Sequence, residues 1–244
     1  MRRIALMLVV PLVAAAVARG DDSVFQQVDY REVVRDLEQN GSRFYLAGIV
    51  GSSFATLTSP GTPSSNEPLF TSGGAAGVAF AWLDRAWRVE VEGRARDPLM
   101  QTTTLDEFGS MSALTATGGW STTLNLWRDY HVTDWLTWYI GGGIGGGGYR
   151  FGVNQYYAKQ DTTVTGVGTV GGFAWQAGGG LAWALTDRIT LDLGYRYFEL
   201  DGGSVNADAS MTGTFIDTTR FASAFSASEL FFAIRIYEPF RGWR

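Results

Sequence analysis

Strict two-residue alternation between Asp187 and Leu200 is the feature that most narrows the fold. Ile189, Leu191, Leu193, Tyr195 and Tyr197 fall on one side of an extended chain, and Thr190, Asp192, Gly194 and Arg196 fall on the other. Successive side chains of a strand face opposite ways, so this stretch is a strand with one apolar and one charged face. Alternation alone leaves open which face is inside. A soluble ligand-binding barrel would bury the apolar row, whereas a membrane barrel would turn it to lipid and keep Asp192 and Arg196 in the lumen.

Composition leans toward the membrane. The 244 residues include 32 glycines, 14% aromatics and only 18% charged residues, with one lysine, Lys159. Soluble surfaces ordinarily mix Lys with Glu. After the N-terminus no run reaches the ~20 apolar residues of a membrane helix, so a chain of this kind that spans must do so as a closed barrel. The absence of cysteine excludes disulfides, cysteine-based zinc sites and a lipoprotein anchor.

Residues 1–18 have the layout of a secretory signal: Arg2 and Arg3 precede the apolar run 4–17, and Ala16-Val17-Ala18 offers small residues for cleavage. Cleavage there removes two of the 19 basic residues and none of the 24 acidic ones, leaving a net charge of −7. That balance argues against a nucleic-acid partner. Residues 19–42 form a separate N-terminal segment, in which Asp29 and Glu32 make a capping pair and Tyr30, Val33, Val34 and Leu37 recur at helical spacing before Asn40-Gly41. A short amphipathic helix is expected there, at the barrel mouth or as a plug.

From Arg43 to Glu238 the pattern is strand and turn, with strands expected near 43–56, 73–83, 86–96, 112–127, 135–147, 172–185, 188–200 and 228–238, and residues 239–244 as a tail. The connections alternate in length. Asp84-Arg85, Arg128 to Asp134 and Thr186-Asp187 are tight, whereas 57–72, 97–111, 148–171 and 201–227 read as long polar loops. Short turns at one end and long loops at the other fit an all-β, eight-stranded antiparallel up-and-down transmembrane β-barrel. Phe44, Trp82, Trp87, Trp127, Trp135, Trp138, Trp183, Tyr195 and Tyr197 sit near strand ends, where aromatic girdles form.

The inward row then collects Arg88, Glu90, Glu92, Arg94, Gln176, Asp192, Arg196, Glu229 and Arg235. In a low-dielectric lumen such charges must pair, so they are expected to form an ion-pair network that fills the barrel. Eight strands leave an interior just wide enough for side chains.

Three motifs resemble one family. Trp138-Tyr139-Ile140-Gly141-Gly142-Gly143-Ile144-Gly145, Gly178-Gly179-Gly180-Leu181-Ala182-Trp183 and Leu191-Asp192-Leu193-Gly194-Tyr195-Arg196-Tyr197 are similar to strands of the outer-membrane protein A-like barrels, especially the opacity-type surface proteins of Gram-negative bacteria. The resemblance implies outer-membrane location, contact with outer-membrane lipid, assembly by the barrel-assembly machinery, and binding of an extracellular partner through the loops. The peptidoglycan-binding domain of some members has no counterpart before the chain stops. The family's terminal aromatic signal falls here on Tyr237 or Phe240.

Other chemistry is weaker. Gly143 to Gly148 matches G-x-G-x-x-G, but Tyr149 to Val153 continues as strand where a nucleotide site needs a helix. The one histidine, His131, falls in a short turn, the wrong end for a barrel enzyme acting on lipid A in the outer leaflet. Asp201, Asn206 and Asp208 lack the spacing of a calcium loop. No enzymatic activity or cofactor is expected. Tyr156, Tyr157, Phe215 and Phe221 are the expected loop contacts, because loops on a rigid scaffold carry recognition. The alternatives are a small porin-like channel, a lipid-A-modifying barrel and a soluble ligand-binding barrel.

Overall fold

A computed structural model of the chain describes residues 41–59 and 66–239; the expected signal segment, the helix within 19–42 and Phe240 lie outside these. Strands β1 (Arg43–Thr58), β2 (Asn66–Ala81), β3 (Ala86–Arg96), β4 (Leu99–Thr104), β5 (Met111–His131), β6 (Leu136–Tyr157), β7 (Thr162–Ala184), β8 (Ile189–Met211) and β9 (Thr214–Tyr237) follow in order. Each pairs antiparallel with its neighbour, β9 pairs back onto β1, and β5 receives both β3 and β4. Strands β3 and β4 are therefore one stave interrupted at Asp97-Pro98, and the ring closes on eight staves. A closed ring leaves no edge within the membrane, where unpaired backbone groups would be costly.

The expected faces hold in this ring. Arg88, Glu90, Glu92, Arg94, Gln176, Asp192, Arg196, Glu229 and Arg235 are all buried inside. Val91, Leu124, Ile140, Ile144, Phe232 and Ile234 face outward and are exposed. A soluble protein does not bury its charges and expose its aliphatic residues in this way, so this part of the wall is built for lipid. On β5 the outward row runs from Trp120 to Tyr130. Ten steps of ~3.4 Å at a tilt of ~40° rise ~26 Å, matching the ~25 Å apolar band of such barrels.

The strands do not stop there, which changes the expectation for the loops. Much of 57–72, 97–111, 148–171 and 201–227 is paired strand, and β6–β9 run for 22, 23, 23 and 24 residues. Strands of that length make a barrel about twice as tall as the band. Above the band the faces reverse in character: Leu57, Leu99, Leu114, Phe151, Val153, Phe198, Leu200, Val205 and Phe225 form one buried apolar core, while Thr117, Arg150, Asn154, Asn206 and Asp208 point out. Sequence reading missed this because the upper strands carry polar residues outside and many Gly, Ser and Thr, the composition of a loop.

Apart from a shift between Ala209 and Ser210 near the β8–β9 tip, irregularities in the ladder gather where the faces reverse. The break at Asp97-Pro98 lies across from the register shift between Thr117 and Trp120. The β7–β8 ladder skips between Gly166 and Ala174, and the β8–β9 ladder between Leu200 and Gly203. Bulges bend and twist a strand locally, so they belong where a charged interior hands over to an apolar one. The tight turns follow ordinary chemistry. Leu83 and Asp84 both take positive φ (51° and 54°) in a two-residue turn between Trp82 and Arg85, and Thr212 and Gly213 (47° and 80°) do the same at the β8–β9 tip.

Candidate functional site

Within the band the lumen is occupied by one polar network. Ten buried charges line it, with five arginines (Arg88, Arg94, Arg96, Arg196, Arg235) balancing five carboxylates (Glu90, Glu92, Asp129, Asp192, Glu229). Glu229 sits at its centre. Arg196 Nε donates to its Oε2 at 2.9 Å and Arg96 Nε to its Oε1 at 2.9 Å. Arg196 Nη1 reaches Glu92 at 2.8 Å and the Gln176 carbonyl oxygen at 3.0 Å, and Arg94 Nε donates to the other oxygen of Glu92 at 2.9 Å. Phe231 lies beneath both Arg196 and Arg94, at 4.6 and 5.3 Å from its ring centre, and adds cation–π attraction.

Toward the short-turn end the pairs are simpler. Arg88 grips both oxygens of Asp129 at 2.8–3.0 Å, and Arg235 pairs with Asp192. Glu90 is held by neutral donors: the Tyr45 hydroxyl at 2.6 Å, the Trp127 indole at 2.8 Å and the Asn125 amide at 3.2 Å. Buried charges persist only when hydrogen-bonded and preferably paired; here every carboxylate accepts hydrogen bonds, four of the five from an arginine and Glu90 from neutral donors.

All nine residues of the expected network are therefore brought together. Sequence reading left out Arg96 and Asp129, and it placed Trp127 in a girdle. Arg96 continues the inward parity of Arg88 to Arg94 and was legible from it. The sequence pattern puts Asp129 in a turn, but β5 runs on to His131, so Asp129 and Trp127 keep the inward parity of Asn125. Trp127 is only 3% exposed, which corrects its girdle placement.

Inward glycines make this crowding possible. A Cβ on Gly194 would collide with the edge of the Phe231 ring, and one on Gly143 would strike the Asn125 side chain. The Gly143–Gly148 run thus lies mid-strand, paired on both sides, with no helix following it. Two small spaces of about 20 Å³ remain, one beside Glu90 and one beside Arg96. Each has room for about one water.

Two ends flank the network. At the short-turn end a vestibule of about 450 Å³ is lined by residues including Arg43, Trp87, Asp129, His131, Asp134 and Trp135. His131 is at this end, as the half-buried last residue of β5 rather than in the turn expected from the sequence, and nearby Asp129 has both oxygens committed to Arg88. At the tall end, Tyr156 is 40% and Phe215 62% exposed. Tyr157 and Phe221 instead turn inward and pack against the apolar core, Tyr157 donating to Gln155 at 2.9 Å. Exposed Met211 and Ile216 join Phe215 at the β8–β9 tip, and neither was singled out in the sequence.

No family model and no curated protein matches the sequence. Similar solved structures include Neisserial surface protein A (TM-score 0.40, 14% identity, 80% of this chain and 98% of that one). The attachment invasion locus protein Ail of Yersinia pestis gives a TM-score of 0.38 at 12% identity over 80% of this chain and 99% of that one. The outer-membrane protein OprG of Pseudomonas aeruginosa gives 0.36 at 12% identity over 80% and 96%. Independently of these likenesses, the inside-out wall makes the chain a transmembrane β-barrel of the outer-membrane type.

Proposed function

We propose that the chain is a non-enzymatic surface protein of the bacterial outer membrane, exported by its N-terminal signal, whose tall outer end binds an extracellular partner. The observation that carries this reading is the reversal of the faces. An apolar core under polar outward residues is what a barrel needs in water, and it holds the β8–β9 tip clear of the membrane on a rigid support. Large apolar residues that stay exposed on such a support favour recognition. Tyr156 and Phe215 are the contacts expected from the sequence that remain exposed; Met211 and Ile216 are also exposed at the β8–β9 tip.

The test is binding of proteoliposomes to immobilised host-surface proteins and glycans. Wild-type protein is expected to bind and F215S/I216S to lose most of the signal while keeping heat-modifiable gel mobility, since neither residue is in the barrel core. Equal binding by both proteins would remove the tip from the reading. The porin-like alternative is disfavoured by the filled lumen. A single histidine at the short-turn end, with Asp129 already engaged, disfavours the lipid-A enzyme.

A further inference from the structure

Arg128 stands apart from every other charge of the spanning wall. Its ladder partners are Trp87 on β3 and Ile140 on β6, both outward, so its side chain leaves the barrel on the lipid side. From Tyr130 up to Trp120, Phe173 and Tyr197, it is the one charged outward residue among those described. Its guanidinium lies 4.4 Å from the Tyr130 ring centre and 5.8 Å from that of Trp87. Tyr130 in turn stacks on Trp138 at 4.1 Å, and Trp87 meets Trp82 at 5.8 Å. The Nε of Arg128 is buried in this cradle without a hydrogen-bond partner. Among the described residues no carboxylate is within ion-pairing distance: Asp129, next in sequence, points inward to Arg88.

A guanidinium on a lipid-facing wall is costly unless its head reaches the interface and finds an anion. The aromatic row marks that depth, because Trp and Tyr gather at the headgroup level. The anion that lies at this depth, at the short-turn end, is the phosphodiester of a membrane phospholipid. Guanidinium and phosphate match as a planar fork against two oxygens, and the rings on either side hold the fork in place. We propose that Arg128, cradled by Trp87 and Tyr130, is a binding site for the phosphate of one phospholipid in the inner leaflet of the outer membrane. The site rests on the membrane reading of the wall, though not on any function of the outer tip.

Native mass spectrometry of the full chain in neutral sugar-detergent micelles tests it, with phosphatidylethanolamine, phosphatidylglycerol and diacylglycerol as probes. Wild-type protein is expected to retain one molecule of either phospholipid, R128Q to hold it roughly tenfold more weakly, and R128K to fall between, since it keeps the charge and loses the fork. Diacylglycerol, with the chains and no phosphate, is expected to be lost. Equal phospholipid retention by wild type and R128Q overturns the site, and so does diacylglycerol retained as well as phospholipid. Inorganic phosphate that alone occupies the site as tightly as the lipid overturns the lipid assignment. Heat-modifiable mobility of each variant separates these results from a failure to fold; if R128Q does not assemble, R128K decides. A chain that is monodisperse without detergent would sink the membrane reading itself, a different result from unchanged lipid retention.

Discussion

At the scale of single residues, the network around Glu229 behaves as a unit because its members share partners. Removing Arg196 leaves two carboxylates short of a cation in a buried lumen. Arg196→Met is expected to lose about 3–5 kcal/mol, read from the urea midpoint of the gel-mobility shift, because Glu92 and Glu229 both lose a donor. A loss under about 1 kcal/mol would mean that water already reaches the pair. Gly194 offers a second test. Gly194→Leu should prevent or strongly impair assembly, and Phe231→Ala in the same chain should restore part of it by vacating the ring's place. If the double variant is no better than the single, Phe231 is not the obstacle. The network was legible in advance because inward parity is a property of position: Arg88 to Arg94 could be read two by two. Parity fails at strand ends, and Asp129 and Trp127 were lost there because an Arg-Asp-Tyr-His stretch reads as a turn.

Elements tell a different story, since the four long connections were misread for a physical reason. A strand in water with a barrel beneath it shows polar residues outside, and in β6 to β9 the inward apolar residues are spaced among glycines and bulges. The alternation is diluted until it resembles a loop. Turn chemistry was better signalled, and it supports a prediction at this scale. In the β4–β5 connection Asp106 accepts the N–H groups of Phe108 (2.9 Å) and Ser110 (3.0 Å). Hydrogen bonds from Ser110, side chain first and then backbone, hold its carboxyl below the usual carboxylate range. A depressed folded value stabilises the turn above the unfolded pKa of about 3.9, and that contribution disappears as pH falls through the folded value. Amide exchange at Phe108 and Ser110 should therefore be slow at neutral pH and quicken relative to Asp106→Asn in strong acid only after the carboxylate protonates. A protection pattern indifferent to pH would contradict this. At the β2–β3 turn, Leu83 and Asp84 hold positive φ with side chains that resist it. Leu83→Asn with Asp84→Gly should stabilise by about 0.5–1 kcal/mol, measured from the same urea midpoint.

For the whole molecule, the orientation follows from which ends are short. A chain without cysteine makes this directly measurable. A cysteine at Thr218 should react with an impermeant maleimide on intact cells, and one at Arg188 only after the outer membrane is permeabilised; the reverse pattern would invert the barrel. Planar bilayers should show no steady conductance, because the voids in the lumen hold about one water each. Regular current steps from the wild-type chain would show that the network opens.

The change of face halfway up β6 to β9 carries a consequence for how the barrel is made. Hairpins whose outward rows are polar must pass entirely through the bilayer before their apolar side chains can meet beyond it. Their transfer is uphill until the outer core closes, and downhill after. Insertion should accordingly run one way, slowed in proportion to the length of the β8–β9 hairpin. Once closed, the outer core acts as a rivet head: to withdraw the barrel, it must first be unfolded on the far side.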